Sequence, residues 1–129
     1  MSIHVTLRYD DPRAALDFLT GTLGLTAGMV ATGDDGAVAH AELFWGDTAV
    51  MIGARAGDPR FDTGRAVLYL TTDTPDALCD KAVGAGAELV QELTDQDYGS
   101  REFAVADPEG NVWCFGTYVP TAPAADTAP

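Results

Sequence analysis

The chain is poor in basic side chains. It contains 7 Lys and Arg against 20 Asp and Glu, which gives a formal net charge of −13 at pH 7. Nucleic acids need clustered Lys and Arg to neutralise their phosphates, so this balance argues against nucleic acid and anionic membranes as partners. Acidic groups keep a surface soluble, and around a concave site they also attract cations. A cationic small molecule is therefore a better candidate ligand than a polyanion.

Cysteine and long apolar runs are also scarce. The two cysteines, Cys79 and Cys114, fall in a predicted helix and a predicted strand without CxxC spacing. We interpret them as buried thiols in a reducing compartment rather than as a disulfide or a zinc pair. No apolar run reaches the length of a bilayer, and residues 1–4 lack the features of a signal peptide. These absences predict a cytoplasmic protein.

The chain contains an internal repeat. A strand pattern leads through Asp10 and Pro12 into a helix pattern, and the same order recurs at Asp73 and Pro75, at an offset of 63 residues (73 − 10). Each unit is too small to close a core alone, so the two units must pack on one another. With 129 residues, of which 47% are hydrophobic, the sequence predicts one domain of two halves with a ligand at their seam.

Hydrophobic periodicity predicts the same series of elements in each half. Alternating or short apolar runs predict strands at residues 2–9, 25–32, 37–45, 48–53, 65–72, 88–94, 101–106 and 111–118. A helix follows the first strand of each half, and Gly24 and Gly86 end these helices. We therefore expect an α+β fold in which two βαβββ modules form a cup-shaped mixed sheet with the helices on its outer face.

Composition separates the modules from their flanks. Residues 54–64 are rich in Gly, Pro, Arg and Asp, which indicates a linker between a module at about 1–53 and a module at 65–118. Residues 119–129 are mostly Pro, Thr, Ala and Asp and have nothing to bury, so we expect a disordered tail. The single domain thus covers residues 1–118.

The ordered set of motifs resembles the vicinal oxygen chelate superfamily, which includes glyoxalase I, extradiol dioxygenases and bleomycin-resistance proteins. The segment HVTLR at 4–8, followed by DF and LGL within 17–25, looks like the first strand and helix of glyoxalase-type members. The segment HAEL at 40–43 is similar to a glyoxalase-like subgroup. The segment SREFAV at 100–105, with DPEGN at 107–111, resembles the closing hairpin of bleomycin-resistance-type members.

The resemblance implies where a metal would bind. Enzymes of the superfamily hold a divalent metal with one residue from each of four strands, and here His4 and Glu42 match in the first half. In the second half, the offset places Val67 opposite His4, and Cys114 stands where a carboxylate is expected. Because Val67 has no lone pair, the four-ligand set is incomplete, and we favour no metal cofactor.

His40 leaves an alternative open. Residues two apart on a strand share a face, so His40 projects beside Glu42. With His4, these residues are a two-His, one-carboxylate set of the kind that non-haem iron enzymes use. The alternative is that His40 hydrogen-bonds Glu42 or a ligand.

Strand alternation assigns the lining of the cup. The lining residues are His4, Thr6, Arg8, His40, Glu42, Phe44, Val67, Tyr69, Thr71, Val112, Cys114 and Gly116. Arg8 on this polar face needs a carboxylate partner, either Glu42 or a ligand. Arg101, beside the irregular segment 98–100, is a further ligand-binding candidate on a lid, or it belongs to a solvated hairpin edge. Trp45 is a stacking surface or, as is more usual for Trp, a core or interface residue.

These residues favour a protein that binds a small organic molecule, cationic or aromatic, of the drug-binding or resistance type. The resemblance implies a homodimer with ligand clefts at its interface. The second hypothesis is a metal-dependent lyase, isomerase or dioxygenase of the glyoxalase type that uses His4 and Glu42. A third is a scaffold without a ligand. The sequence leaves open whether the protein is an enzyme.

Overall fold

The structure, a computed structural model, describes residues 1–124. The first module contains β1 (Thr6–Tyr9), α1 (Pro12–Asp17), β2 (Thr26–Thr32), β3 (Val38–Trp45) and β4 (Thr48–Ala54). The second contains β5 (Val67–Thr71), α2 (Pro75–Gly84), β6 (Glu88–Asp95), β7 (Arg101–Ala106) and β8 (Val112–Gly116). The predicted α+β fold with two βαβββ modules is confirmed.

The strands form two four-stranded sheets of the same topology. Sheet A has the order β1-β4-β3-β2 and sheet B the order β5-β8-β7-β6, with β1 parallel to β4 and β5 parallel to β8. Thr6 lies opposite Met51 in sheet A, and Tyr69 lies opposite Cys114 in sheet B. Both residues of the second pair stand 63 positions after those of the first, so the sequence repeat continues into the strand register.

The cup expected from the sequence is not closed within one chain. The two sheets are separate, and β1 and β5 are edge strands of their respective sheets. Period-two alternation assigns each strand its two faces, but it carries no information on which edges pair. Within the single chain, each module therefore keeps its own open sheet, and the two sheets do not close into a cup.

Several predicted elements are shorter than expected. The first strand begins at Thr6 rather than at residue 2, although the Met51 amide still donates to the Val5 carbonyl. After α1 the chain widens into a π-helical turn, Phe18–Thr22, in which the Leu23 amide donates to the Phe18 carbonyl. The Thr20 hydroxyl donates to the Leu16 carbonyl, a side-chain bond of the kind that bends helices.

One core joins the modules. The buried cluster includes Leu19 and Leu43 of the first module and Phe103, Trp113 and Phe115 of the second. The rings of Phe103 and Phe115 stack with centroids 5.2 Å apart. Because alternate strand residues fill this shared core, the other residues of each strand point away from it. Each sheet therefore has one open face.

The hairpin between β7 and β8 ties the second module to the first. The Asp107 carboxylate is buried and accepts hydrogen bonds from the Tyr9 hydroxyl, the Trp113 indole and the Asn111 amide. Burial, together with the hydrogen bond to Asp107, raises the pKa of Tyr9 well above its ordinary value. Tyr9 therefore donates to Asp107 throughout the usual pH range.

The flanking segments differ from the modules. Residues 119–124 form no helix or strand, and the part of the predicted tail at 125–129 lies outside the described residues. Within residues 1–124, the helices are too short and too polar to cross a membrane.

Candidate functional site: two open sheet faces

The open face of sheet A carries polar side chains in rows across its strands. One row runs from Thr6 through Met51 to Glu42, and the next runs from Arg8 through Gly53 to His40. Sequence reasoning missed Met51, because it could not show that β4 lies between β1 and β3. Neighbouring strands lie about 4.8 Å apart, so Glu42 stands about 10 Å from β1 across the sheet.

His40, Glu42 and Phe44 lie together on one side of β3. All three are half-buried. Within the described part of the chain, neither the His40 imidazole nor the Glu42 carboxylate makes a hydrogen bond or an ion pair. Gly28 of β2 lies under them, where a Cβ atom would come within 2.7 Å of the Phe44 ring. A donor and acceptor, a carboxylate and an aromatic ring are therefore available to a ligand at one place.

Arg8 has a carboxylate partner, as the sequence predicted, but the partner is Asp62 of the linker. The guanidinium Nη1 donates to Asp62 Oδ1 at 3.3 Å. The guanidinium carbon Cζ lies 5.5 Å from the centre of the Phe61 ring. The alternative of a pair with Glu42 is wrong. Sequence reasoning missed Asp62 and Phe61, because an irregular Gly- and Pro-rich segment gives no periodic signal of where it folds.

Asp62 is held in its charged form. Its partial burial acts to raise its pKa, but the amides of Ala56 and Gly57 and the charge of Arg8 outweigh this effect and lower the pKa. The linker thus forms a fixed wall beside sheet A and neutralises Arg8 there.

The described residues do not bring together the metal ligands that the superfamily resemblance implies. Both ring nitrogens of His4 are engaged: Nδ1 donates to the Ala49 carbonyl at 2.7 Å, and Nε2 accepts from the Ser2 hydroxyl at 2.7 Å in that tautomer. Val67, opposite His4 in the repeat, is 72% exposed and has no donor atom. Across residues 1–124, no three His, Cys, Asp or Glu side chains are close enough to hold a metal ion. His4, His40 and Glu42 are not brought together.

The open face of sheet B has a different character. Tyr69 and Cys114 are neighbours across β5 and β8, and the Tyr69 hydroxyl donates to the Tyr118 carbonyl at 2.7 Å. Burial, with a smaller contribution from the Glu102 charge, raises the pKa of the Cys114 thiol. Cys114 is therefore a weak nucleophile and a packing residue at neutral pH.

Further lining residues extend this face along β5 and β8. Thr71 and Gly116 lie opposite one another, as do Val67 and Val112. Glu102 of β7 follows Gly116 in the same row. Tyr118 and Glu102 were not among the predicted site residues. Tyr118 continues the alternation of the last predicted strand, but the lining was assigned only as far as Gly116, and no lining was assigned to the strand that carries Glu102.

Arg101 lies on the other side of sheet B from Tyr69. Its guanidinium donates to Asp76 of α2 at 2.8 Å and to Asp95 at 3.1 Å. The structure therefore places it in an ion-pair network on the helix side, and segment 98–100 forms a tight turn between β6 and β7. Arg101 shares its strand face with buried Phe103 and Val105, so strand alternation would have predicted that it lies on the helix side of sheet B.

A groove of about 520 Å³ lies at the seam between the modules. It is lined mainly by apolar side chains, among them Ile3, Val5, Leu43, Trp45 and Leu68. Trp45 is partly buried against Phe115 and donates its indole N–H to the Thr71 carbonyl at 2.8 Å. Trp45 thus has the core and interface role that is usual for Trp.

Known proteins share this architecture. The family described as Glyoxalase/Bleomycin resistance protein/Dioxygenase superfamily matches residues 2–115. An uncharacterized protein of Mycobacterium bovis is 33% identical over 116 residues, which covers 83% of this chain and 76% of that protein. The chain is similar to TioX from Micromonospora sp. ML1, with a TM-score of 0.79 and 29% identity over 92% of this chain and 99% of TioX.

A second solved structure shows the same fold at lower identity. TnmS3, an antibiotic binding protein from Streptomyces sp. CB03234, has a TM-score of 0.70 and 22% identity, covering 89% of this chain and 96% of TnmS3. The matched residues span both modules and both open faces. The chain therefore belongs to the glyoxalase/bleomycin resistance protein/dioxygenase superfamily.

Proposed function

We propose that the protein binds a small aromatic or cationic organic molecule on its open sheet faces, as a drug-binding or resistance-type member of its superfamily. The observation that carries this proposal is the unpartnered His40 and Glu42 beside Phe44 on sheet A. Ligand sites combine apolar or aromatic walls with a few directed polar groups, and these three side chains supply both. The net charge of −13 favours a cation. The antibiotic binding described for TnmS3 agrees with this ligand class.

Binding is tested by thermal-shift screening against cationic aromatic compounds, including antibiotics. A ligand at 100 times its Kd stabilises the native state by about 2.7 kcal/mol, which raises the Tm by several degrees. Glu42→Gln and His40→Ala should each reduce the shift, whereas Asp47→Asn, in the exposed turn after β3, should leave it unchanged. A screen in which no compound shifts the Tm would instead favour a scaffold without a ligand.

We propose that the binding site is completed by a second copy of the chain. The edge strands β1 and β5 are accompanied by exposed apolar side chains, with Ile3 94% and Val67 72% exposed. Unpaired strand edges with apolar side chains are templates for pairing. Pairing of β1 with β5 of a second copy would join sheet A of one chain to sheet B of the other and form the cup.

Light scattering after size exclusion tests this assembly. We expect a dimer that Val67→Asp converts to a monomer, because the charge would be buried at the joined edges. Val90→Asp, at another exposed apolar position, on β6 at the far edge of sheet B, is the matched control and should remain dimeric. A monomeric wild-type protein, or a dimer that survives Val67→Asp, would contradict the proposed assembly.

The absence of a catalytic metal is a separate part of the proposal. Elemental analysis of protein purified without chelator should show no stoichiometric nickel, zinc, iron or manganese. Stoichiometric metal that is lost in both His4→Ala and Glu42→Ala would instead support the metal-dependent lyase, isomerase or dioxygenase. Both cysteines are free thiols, which supports the further proposal of a reducing, cytoplasmic compartment.

A further inference from the structure

Two exposed tyrosines form a right-angled corner at one end of sheet B. The ring centroids of Tyr98 and Tyr118 are 5.9 Å apart, and the ring planes meet at 84°. Their exposed fractions are 61% and 50%, so both rings are accessible to a ligand. Two rings at a right angle present their faces to the corner at which they meet.

Hydrogen bonds fix the Tyr98 hydroxyl and the Tyr118 backbone. The Tyr98 hydroxyl donates to both oxygens of Glu102 at 2.9 Å. The Tyr118 amide donates to the buried Ser100 hydroxyl at 3.0 Å, and the Tyr118 carbonyl accepts from Tyr69 at 2.7 Å. The corner therefore needs little ordering on binding, which favours affinity.

The charge at the corner is negative and not neutralised. Glu102 has no ion pair in the described chain, since the preceding Arg101 lies on the other side of the sheet with Asp76 and Asp95. The hydrogen bond to Glu102 is the main cause of the raised pKa of Tyr98, so this hydroxyl stays protonated. A carboxylate at the base of two aromatic rings attracts a cation.

The geometry points to a quaternary or alkylated ammonium group as the occupant of the corner formed by Tyr98, Tyr118 and Glu102. Such a group presents apolar methyl surface to the rings and needs few or no hydrogen-bond acceptors. A primary ammonium is strongly hydrated and has three N–H donors to satisfy, whereas an alkylated ammonium is held mainly by the ring faces that Tyr98 and Tyr118 expose. This inference rests on the proposed function and assigns the cationic part of the ligand to sheet B.

Choline and its neutral isostere 3,3-dimethylbutan-1-ol are the probes for a test by ¹H–¹⁵N NMR titration of the full chain. We expect choline to shift the amide signals of residues 98–102 and 118, and the neutral alcohol to bind more weakly. Exposed cation–π contacts contribute about 0.5–1 kcal/mol, so Tyr118→Leu and Glu102→Gln should each weaken choline binding about two- to fivefold. Tyr98→Phe keeps the ring and should retain most of the affinity.

A matched control separates the corner from general charge effects. Glu92→Gln removes an exposed charge from β6 and should not change choline binding. Equal binding of the neutral alcohol, an unchanged affinity in Glu102→Gln, or no choline binding would overturn the inference. Choline shifts confined to His40 and Glu42 would also overturn it but would leave the proposed function intact.

Discussion

The two modules have the same backbone register and different side chains on their open faces. Gly53 and Gly116 occupy equivalent positions 63 residues apart, as do Met51 and Cys114. Along the first strand of each module, however, Arg8 of sheet A corresponds to Thr71 of sheet B. The face of sheet A is charged and hydrogen-bonding, whereas that of sheet B is aromatic. The duplicated fold therefore keeps two scaffolds and gives each its own chemistry.

The side-chain hydrogen bonds between the two modules are unevenly distributed. At the end of β3, the Trp45 indole makes one hydrogen bond to the second module, at Thr71. After β7, the buried Asp107 accepts from Tyr9 of the first module and from four donors of its own hairpin. Glu109 of the same hairpin accepts from the backbone amides of Asp10 and Asp11, so the β7–β8 hairpin makes most of the side-chain hydrogen bonds between the modules.

The largest expected effect is at Asp107. Asp107→Ala leaves the buried Tyr9 hydroxyl and Trp113 indole without an acceptor, so we expect a loss of about 3–5 kcal/mol in the free energy of unfolding. Urea denaturation measures it. Asp97→Asn, in the exposed turn after β6, is the control and should change stability by less than about 0.5 kcal/mol. A small effect at Asp107 would show that this buried carboxylate contributes little to joining the modules.

The second-largest expected effect on stability is at the equivalent glycines, Gly53 and Gly116. At Gly116 a Cβ atom would lie 2.5 Å from the Tyr69 hydroxyl and 2.7 Å from Glu102, whereas at Gly53 its nearest contact is 3.4 Å. Because Tyr69 is hydrogen-bonded to Tyr118, it cannot move freely, and Gly116→Ala should cost about 1–3 kcal/mol. Gly53→Ala should stay within about 1 kcal/mol of the wild type. Equal unfolding midpoints for the two variants would contradict this difference between the modules.

The smallest expected effect is a pH dependence of stability that comes from Asp62 in the linker beside sheet A. The pKa of Asp62 is below its ordinary value of 3.8, so its stabilisation is present above that pH and is lost as the pH falls through the lowered pKa. Asp62→Asn should therefore be less stable at pH 7 and lose less stability on acidification. Urea unfolding from pH 7 to pH 3 measures both. Asp58 and Asp76 also have lowered pKa values, so some acid dependence should remain.

Local pattern was sufficient for much of the fold. The alternation around Leu7 and Leu43 assigned the buried and open faces of the strands, and the offset of 63 predicted the duplication that the strand register shows. The order of the strands could not be predicted from the pattern, because it depends on contacts between residues that are far apart in the chain. For that reason Met51 was missed between Thr6 and Glu42.

The candidate site was predictable only in part. Alternation placed Arg8, His40 and Glu42 on one face, but the Asp62 partner of Arg8 comes from a linker without periodicity. The corner of Tyr98 and Tyr118 depends on a turn and on residues after the last strand, which meet only in the folded chain.

Calorimetric titration with the most stabilising compound of the thermal-shift screen, with and without EDTA, tests the central claim most directly. Under the proposed function, the side chains of the open faces bind the compound without a metal, so we predict the same Kd in both buffers and recovery of the compound unchanged. Binding that is lost in EDTA and restored by a divalent metal, or conversion of the compound to a product, would contradict the account.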